Sequence, residues 1–348
     1  MRLLFGDPSG DRPAAAMILL LIGISILALQ DSLVKLVAPQ TSFWQFQALR
    51  ACGNILVSTL LALAMGGLAL LRPRRIKAVY LRAMFMTLCM FCFFAGAPFL
   101  TLTQMAAGLY TYPLFVSLLA GPVLGERVGP WRIAALCVGA LGAALVLSPW
   151  EAGFTLLQCL PILAGFFYAA NILTIRRACR NENTLALAFA VAVAFLVSGI
   201  CGSVALTLFP LPDTLRQVAP FVTIGWPQLT LAILGFAAVT SLLNLTGNVC
   251  MSRAYQTADS SWLAPMDFSY LLFATFWSQV IFDSWPTANA IAGMLLIASA
   301  GALTAWRERR LPGAGAPVIP PDAVNNSIDS TVEEARTVAL GNKPGQYR

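Results

Sequence analysis

The chain has 348 residues, of which 58% are hydrophobic and only 11% are charged. An ordinary soluble domain carries roughly a quarter charged residues, so this composition argues against a soluble fold. The net charge of +7 does not indicate a nucleic-acid partner, because the basic residues stand between apolar segments, where they mark membrane orientation. The sequence has no histidine and no pair of C-x-x-C motifs. Neither a metal site nor a cofactor is therefore predicted.

Ten apolar segments follow one another along the chain. Each is long enough to cross a bilayer as a helix, which takes about 20 residues. The segments are apolar all round instead of alternating, so helices are favoured over barrel strands. The first span is expected to be retained, because no small-residue cleavage site follows it. The predicted spans are 17–37, 43–71, 78–101, 104–124, 131–148, 155–176, 184–208, 228–250, 260–282 and 287–306.

The basic residues predict how the chain is oriented. With the N-terminal segment 1–16 inside, all but three of the 22 Lys and Arg residues lie on the cytoplasmic side. This positive-inside pattern places both termini in the cytoplasm and agrees with an even number of spans. Residues 311–348 are rich in Pro, Gly, Ala, Asn and charged residues. They are expected to form a disordered cytoplasmic tail.

The chain also contains a weak internal repeat. An offset of 157 residues places Glu126 on Asp283 and Pro113 on Tyr270, and it aligns the glycine-rich fifth and tenth spans. Each unit has five spans, which is an odd number, so the two units must have opposite orientations. We expect an all-helical membrane protein of two inverted five-helix repeats, first 17–148 and then 155–306. Carriers of this architecture hold their substrate near the midplane, between the halves.

Several runs resemble the EamA family of the drug/metabolite transporter superfamily. The run 113–128, which contains Gly125-Glu126-Arg127, resembles the end of an EamA domain, and 270–283 is similar to the same part of a second copy. Asp283 departs from the pattern, which usually has Glu there. The runs 31–35 and 43–50 are also similar to the family. The resemblance implies a ten-helix carrier of metabolites in the bacterial inner membrane, driven by exchange or by an ion gradient.

Three ionisable residues lie within the first two spans. Asp31 and Lys35 are four residues apart and share a helix face, so they can pair with each other. In the alternative interpretation they lie near the outer end of the span, and Lys35 reaches the interface. Arg50 lies about two turns into the second span and should meet a carboxylate, either Asp31 or an anionic solute. A structural ion pair that only fixes helix packing is the alternative for Arg50.

Asp267 is the single most informative charge in the second half. It stands between Pro265 and Tyr270 in an otherwise apolar span. Proline removes a backbone donor and can kink the helix, which frees polar groups to line a cavity. Asp267 is therefore a candidate for contact with a cation or for proton coupling, since the sequence has no histidine to carry the proton.

Uncharged polar and aromatic residues complete the predicted site. Tyr112 in span four, and Trp262 and Tyr270 in span nine, come from positions that the repeat relates, and we expect them to line the cavity together with Asn171. Many residues of the wider set would only join neighbouring helices. That set is Gln30, Gln45, Gln47, Gln104, Tyr110, Tyr112, Tyr168, Asn171, Asn244, Asn248, Trp262 and Tyr270.

These patterns predict a carrier and not an enzyme, because the sequence contains no phosphate loop, dinucleotide fingerprint or nucleophile–base pair. The resemblance implies export of an amino-acid-like or amphipathic solute. The alternative is uptake of a cofactor-like solute such as riboflavin or S-adenosylmethionine, and a membrane enzyme or scaffold is the alternative of another class. The expected partners are the small-molecule substrate, membrane lipid and a coupling ion such as the proton. A homodimer is left open, as are the substrate and the direction of transport.

Overall fold

The computed structural model describes residues 13–124, 130–150, 154–179, 182–257 and 263–308. Within these ranges every regular element is a helix and no β-strand is present, so the all-helical prediction is confirmed for this part of the chain. The chain divides into two units, Met1–Ala305 and Trp306–Arg348. The predicted tail 311–348 and most of the N-terminal segment 1–16 lie outside the described residues.

Long helices alternate with short ones. The α-helices of the first half are α1 (Pro13–Val37), α2 (Phe43–Met65), α3 (Ile76–Ala95), α4 (Leu102–Leu109), α5 (Tyr112–Leu124) and α6 (Pro130–Leu147). Those of the second half are α7 (Leu160–Ala178), α8 (Thr184–Leu208), α9 (Asp213–Val218), α10 (Pro220–Thr223), α11 (Leu231–Thr257), α12 (Ser269–Phe282) and α13 (Ala288–Glu308). The described residues also contain 3₁₀-helices at Ala38–Gln40, Leu68–Leu71, Leu156–Cys159 and Ala264–Phe268.

Seven helical segments of the described residues are long and apolar enough to cross a membrane. They are Ala15–Gln40, Phe43–Ala64, Ile76–Ala95, Leu102–Val123, Leu156–Ala178, Thr184–Leu208 and Leu231–Met251. The predicted fifth and tenth spans correspond to the shorter apolar helices Ile133–Leu147 and Ala288–Leu303. The predicted ninth span contains the 14 residues of α12. The number ten therefore stays a prediction.

Two predicted spans contain helix ends that hydropathy did not indicate. The predicted span 43–71 ends as an α-helix at Met65, because Gly66 and Gly67 take φ angles of 138° and 107°, which L side chains rarely adopt. The predicted span 104–124 divides into α4 and α5 around Thr111. Pro113 follows at once, and proline has no N–H to donate to a carbonyl one turn back and clashes with that carbonyl.

A second helix break lies before α12. There the chain forms the 3₁₀-helix Ala264–Phe268 before α12 begins at Ser269. The sequence predicts a kink at Pro265, and Pro265 stands at the start of this 3₁₀-helix. Helix α12 packs against α4 and α1, so the two breaks lie in neighbouring helices.

Glycines allow the closest contacts between helices. A Cβ atom on Gly23 of α1 would lie 2.9 Å from the carbonyl oxygen of Gly247 in α11, and one on Gly142 of α6 would lie 2.7 Å from that of Gly293 in α13. Lipid tails are as apolar as leucine, so helices in a membrane associate through close packing of small residues. These glycine pairs therefore hold α1 against α11, and α6 against α13.

Candidate functional site

A chain of hydrogen bonds centred on Asp31 joins three helices. The Asn244 Nδ2 of α11 donates to Gln30 Oε1 (2.8 Å), and Gln30 Nε2 donates to Asp31 Oδ1 (2.8 Å). The Tyr270 hydroxyl of α12 donates to Asp31 Oδ2 at 2.5 Å. Both carboxylate oxygens of Asp31 thus have a donor. Asp31 and Tyr270, two residues of the predicted site, are therefore in direct contact.

Aromatic rings surround this network at the two helix breaks. Tyr270 stacks on Tyr110 with ring centroids 5.1 Å apart and planes 14° from parallel. The ring of Tyr110 also meets the rings of Tyr112 at 5.7 Å and Phe268 at 5.8 Å. Tyr112 in turn meets Tyr168 of α7 edge to face at 4.9 Å. We call these five residues the aromatic cluster. Tyr110 and Tyr112 flank the first break, Phe268 and Tyr270 flank the start of α12, and Tyr168 comes from α7.

Asp267 adds a second acidic group beside the cluster. It lies half-buried in the 3₁₀-helix before α12. Its charge acts electrostatically on Tyr110 and Tyr168, so it lies near both rings. Asp31 and Asp267 therefore approach the aromatic cluster from different helices.

Arg50 lies in α2 with only 2% of its surface exposed. Its Nε and Nη1 atoms have no hydrogen-bond partner. Asp31 and Arg50 are close enough to attract each other. However, no nitrogen–oxygen contact within 4.0 Å joins them. Asp31, one of the two carboxylates that the sequence offered as partner, is thus not in contact with Arg50, and the guanidinium keeps unpartnered donors. A contact with an anionic solute stays a prediction.

The side chain of Lys35 does not pair with Asp31, although the spacing of the two residues allows it. Its Nζ atom donates to the carbonyl oxygen of Leu100 and stands 5.2 Å from the centre of the Phe282 ring. No contact within 4.0 Å joins it to Asp31. Two residues four apart share a helix face, but the four-carbon stem of lysine carries its charge toward the helix end. Lys35 thus contacts the turn after α3 and the end of α12.

Asn171 and Trp262 complete the predicted set. Asn171 lies three residues after Tyr168 on α7, is 3% exposed, and its Oδ1 atom has no hydrogen-bond partner. Trp262 lies outside the described residues. As solute contacts, these residues and Lys35 stay predictions.

The sequence did not single out every member of the site. Tyr110, Tyr168, Gln30 and Asn244 stood only in the wider polar set, and Phe268 was missed. The repeat offset places Tyr110 on Asp267, and this correspondence could have marked it. The only signal in the sequence for Phe268 was its position next to Asp267.

A separate cavity of about 250 Å³ lies between α5, α6 and the start of α7. Its lining side chains are almost all apolar, among them Leu114, Phe115 and Leu136. It offers few hydrogen bonds to a polar solute. Among the described residues, no group of three or more His, Cys, Asp or Glu side chains could hold a metal ion.

No protein-family model matches the chain. A riboflavin transporter of Rhizobium johnstonii is 28% identical over 279 residues, which cover 80% of this chain and 84% of that protein. A riboflavin transporter of Vibrio cholerae is 26% identical over 60% of this chain and 64% of its own length. A pseudopaline exporter of Pseudomonas aeruginosa is 25% identical over 71% of this chain and 80% of that protein.

The fold also has a counterpart among solved structures. One crystal structure, described only as that of a protein, is similar with a TM-score of 0.52 and 19% identity. The match covers 84% of this chain and 99% of the chain in that crystal structure. Together with the seven apolar helices of the described residues, the relatives named as transporters indicate a multi-pass membrane transporter of small solutes.

Proposed function

We propose that the chain is a secondary-active carrier of the EamA family that moves a small organic solute across the bacterial inner membrane by alternating access. It has ten transmembrane helices in two inverted repeats, 17–148 and 155–306. The N-terminal segment 1–16 and the tail 311–348 lie in the cytoplasm. Relatives named as transporters support the carrier function, and the Gly125-Glu126-Arg127 signature supports the family.

The helix contacts support the repeat. If α1, α3 and α5 correspond to α7, α11 and α12, the contact of α1 with α11 has its counterpart in that of α7 with α3. The contact of α1 with α12 likewise corresponds to that of α7 with α5. Helix α5 begins at Tyr112 and α12 at Ser269, which the sequence offset of 157 residues relates. The two helix breaks thus fall at equivalent positions.

One observation carries the assignment of transport to this site. The Asp31 network joins α1 of the first repeat to α11 and α12 of the second, beside both helix breaks. Carriers built from inverted repeats bind their solute at interrupted helices between the halves, because unwound backbone and side chains there line a cavity. A solute held here would contact both moving parts.

The solute that suits this site best is flat, polar and heteroaromatic. Tyr110 and Tyr270 stack on each other with nearly parallel planes, and a flat ring would extend or enter this stack. Stacking of a base on an aromatic side chain contributes about 1–3 kcal/mol. Asn171 and Asp267 supply hydrogen-bonding groups near the rings. Two relatives named riboflavin transporter fit this class, so the cofactor-like alternative now precedes an amino-acid-like solute, with riboflavin as the test compound.

A second candidate is export of an amino-acid-like zwitterion. Asp31 and Arg50 carry opposite charges, attract each other and are not in contact. A zwitterion could pair with both at once. The relative named pseudopaline exporter supports this candidate. Direction in either case follows from the gradients, since a carrier is reversible.

The coupling ion is proposed to be the proton, with Asp31 and Asp267 as its carriers. The sequence has no histidine, so a carboxylate has to accept and release the proton. Both carboxylates lie beside the aromatic cluster. Protonation there would change the charge at the point where the halves meet.

Riboflavin flux into proteoliposomes tests the proposal. With a proton gradient imposed, flavin fluorescence should report flux above that of protein-free liposomes. Tyr110→Ala removes one stacking face and should lower apparent affinity about 5- to 150-fold. Tyr80→Phe, at an exposed position of α3, is the matched control. No flux of riboflavin, and none of amino acids in parallel assays, would refute the carrier function.

A further inference from the structure

One face of α2 carries buried hydrogen-bond donors that no group of the described residues satisfies. Gln47 and Arg50 lie one turn apart, so their side chains share a helix face. Gln47 is 3% exposed and Arg50 2%. The Nε2 atom of Gln47 and the Nε and Nη1 atoms of Arg50 lack an acceptor. A buried donor without a partner costs free energy. Most buried donors in proteins therefore have a hydrogen-bond partner.

The neighbouring polar residues of α2 differ from this pair. Ser241 donates its hydroxyl to Asn54 Oδ1 at 2.9 Å, one turn beyond Arg50. Gln45 donates to the carbonyl oxygen of Pro227 at 2.8 Å and accepts from Thr41. Polar side chains that join α2 to its surroundings are therefore satisfied. Structural packing does not account for the unpartnered donors between them.

The acidic group that attracts Arg50 already has hydrogen-bond donors of its own. Asp31 attracts Arg50, but its two oxygens accept from Gln30 and from Tyr270. The Nε and Nη1 donors of Arg50 therefore stay without an acceptor. No described protein group supplies the missing acceptors.

We infer that Gln47 and Arg50 form a recognition subsite for a solute that presents adjacent oxygen acceptors. This inference rests on the proposed carrier function and adds the solute's chemistry to it. The planar guanidinium fork matches two neighbouring oxygens, and the Gln47 amide adds a further donor. A carboxylate presents two such oxygens. In the imide edge of a flavin an N–H separates the two carbonyl oxygens, so the guanidinium would bind one of them and the Gln47 amide the other. The subsite holds this edge while the aromatic cluster stacks on the ring.

Binding of riboflavin to the purified full-length protein in detergent tests the inference. Quenching of flavin fluorescence gives the dissociation constant, and a thermal melt of each variant gives its stability. Arg50→Gln should weaken binding about 10- to 100-fold, because it removes hydrogen bonds from a charged donor. It should leave the melting temperature unchanged or raise it, because the variant removes a buried charge that has no ion-pair partner. Gln47→Leu should weaken binding by a smaller factor.

Arg177→Gln is the control. Arg177 lies at the end of α7, and its Nη1 donates to the carbonyl oxygen of Val123 at 2.9 Å. It therefore has a structural role, and its variant should melt at a lower temperature with unchanged riboflavin affinity. Arg50→Gln should show the opposite pattern.

The possible outcomes separate the inference from the proposed function. Wild-type affinity in Arg50→Gln, or a loss of binding that only follows a lower melting temperature, overturns the subsite and leaves the carrier intact. No binding of riboflavin by the wild type overturns the flavin-type proposal and the subsite for ring carbonyls together. Displacement of riboflavin by glutamate in the wild type and not in Arg50→Gln would support the subsite and identify a carboxylate as its ligand.

Discussion

The hydrogen bond between Tyr270 and Asp31 can be removed without disturbing the ring stack. Tyr270→Phe deletes the hydroxyl that donates to Asp31 Oδ2 at 2.5 Å and keeps the ring that stacks on Tyr110. A hydrogen bond to a charged group contributes about 1.5–3 kcal/mol, which corresponds to a factor of about 10 to 150 in an equilibrium constant. Because the bond joins the two proposed repeats, its loss should disfavour the conformation that contains it by this factor.

Riboflavin uptake by proteoliposomes and a thermal melt measure this effect. We expect Tyr270→Phe to lower both the initial rate of uptake and the melting temperature. Tyr270→Ala should be more impaired, because it also removes the stacked ring. Tyr80→Phe, outside the site, should match the wild type. Wild-type uptake and stability in Tyr270→Phe would refute the functional role of the Asp31 network.

Three further changes test the packing, the capping and the coupling. Gly142→Val should lower the melting temperature, because its side chain would meet the backbone of Gly293 and overpacking costs about 1–3 kcal/mol; Gly235→Ala has nothing within 4 Å and should not. Glu182→Ala should cost about 0.5–2 kcal/mol in a denaturation assay, because the carboxylate accepts two backbone N–H groups at the start of α3; wild-type stability would contradict this role. Asp31→Asn should abolish accumulation driven by a proton gradient and keep solute exchange, and proton-driven accumulation by this variant would exclude Asp31 as the coupling group.

Much of the fold follows from the sequence because the bilayer imposes one simple condition. A segment that crosses it needs about 20 apolar residues. Its backbone N–H and C=O groups must form their hydrogen bonds within the protein, so long apolar runs become helices. The break at Thr111 was not predicted, because hydropathy contains no information on backbone geometry. Pro113 indicates a break at this point. The interruption near Pro265 was predicted from the same chemistry. Proline thus carried the information in both places.

The site was less accessible from the sequence. A charge inside a span is costly, so Asp31 and Arg50 stand out at once. Their partners do not, because Tyr270 lies 239 residues from Asp31 along the chain. Local spacing favoured Lys35 as the partner of Asp31, and tertiary packing turned it toward Leu100. Only the packing of α12 against α1 brings Tyr270 and Asp31 together.

The paired and unpaired groups of the site together suggest how binding is coupled to movement. The carboxylate of Asp31 is fully hydrogen-bonded across the two proposed repeats, whereas the guanidinium of Arg50 lacks acceptors. If the halves rock, the bond from Tyr270 has to break, which costs free energy. A solute that supplies acceptors to Arg50 gains free energy at the same place. A ligand shifts a conformational equilibrium only by its difference in affinity for the two states. The unpartnered donors of Arg50 provide such a difference, provided that the solute contacts them more fully in the state where Tyr270 has released Asp31.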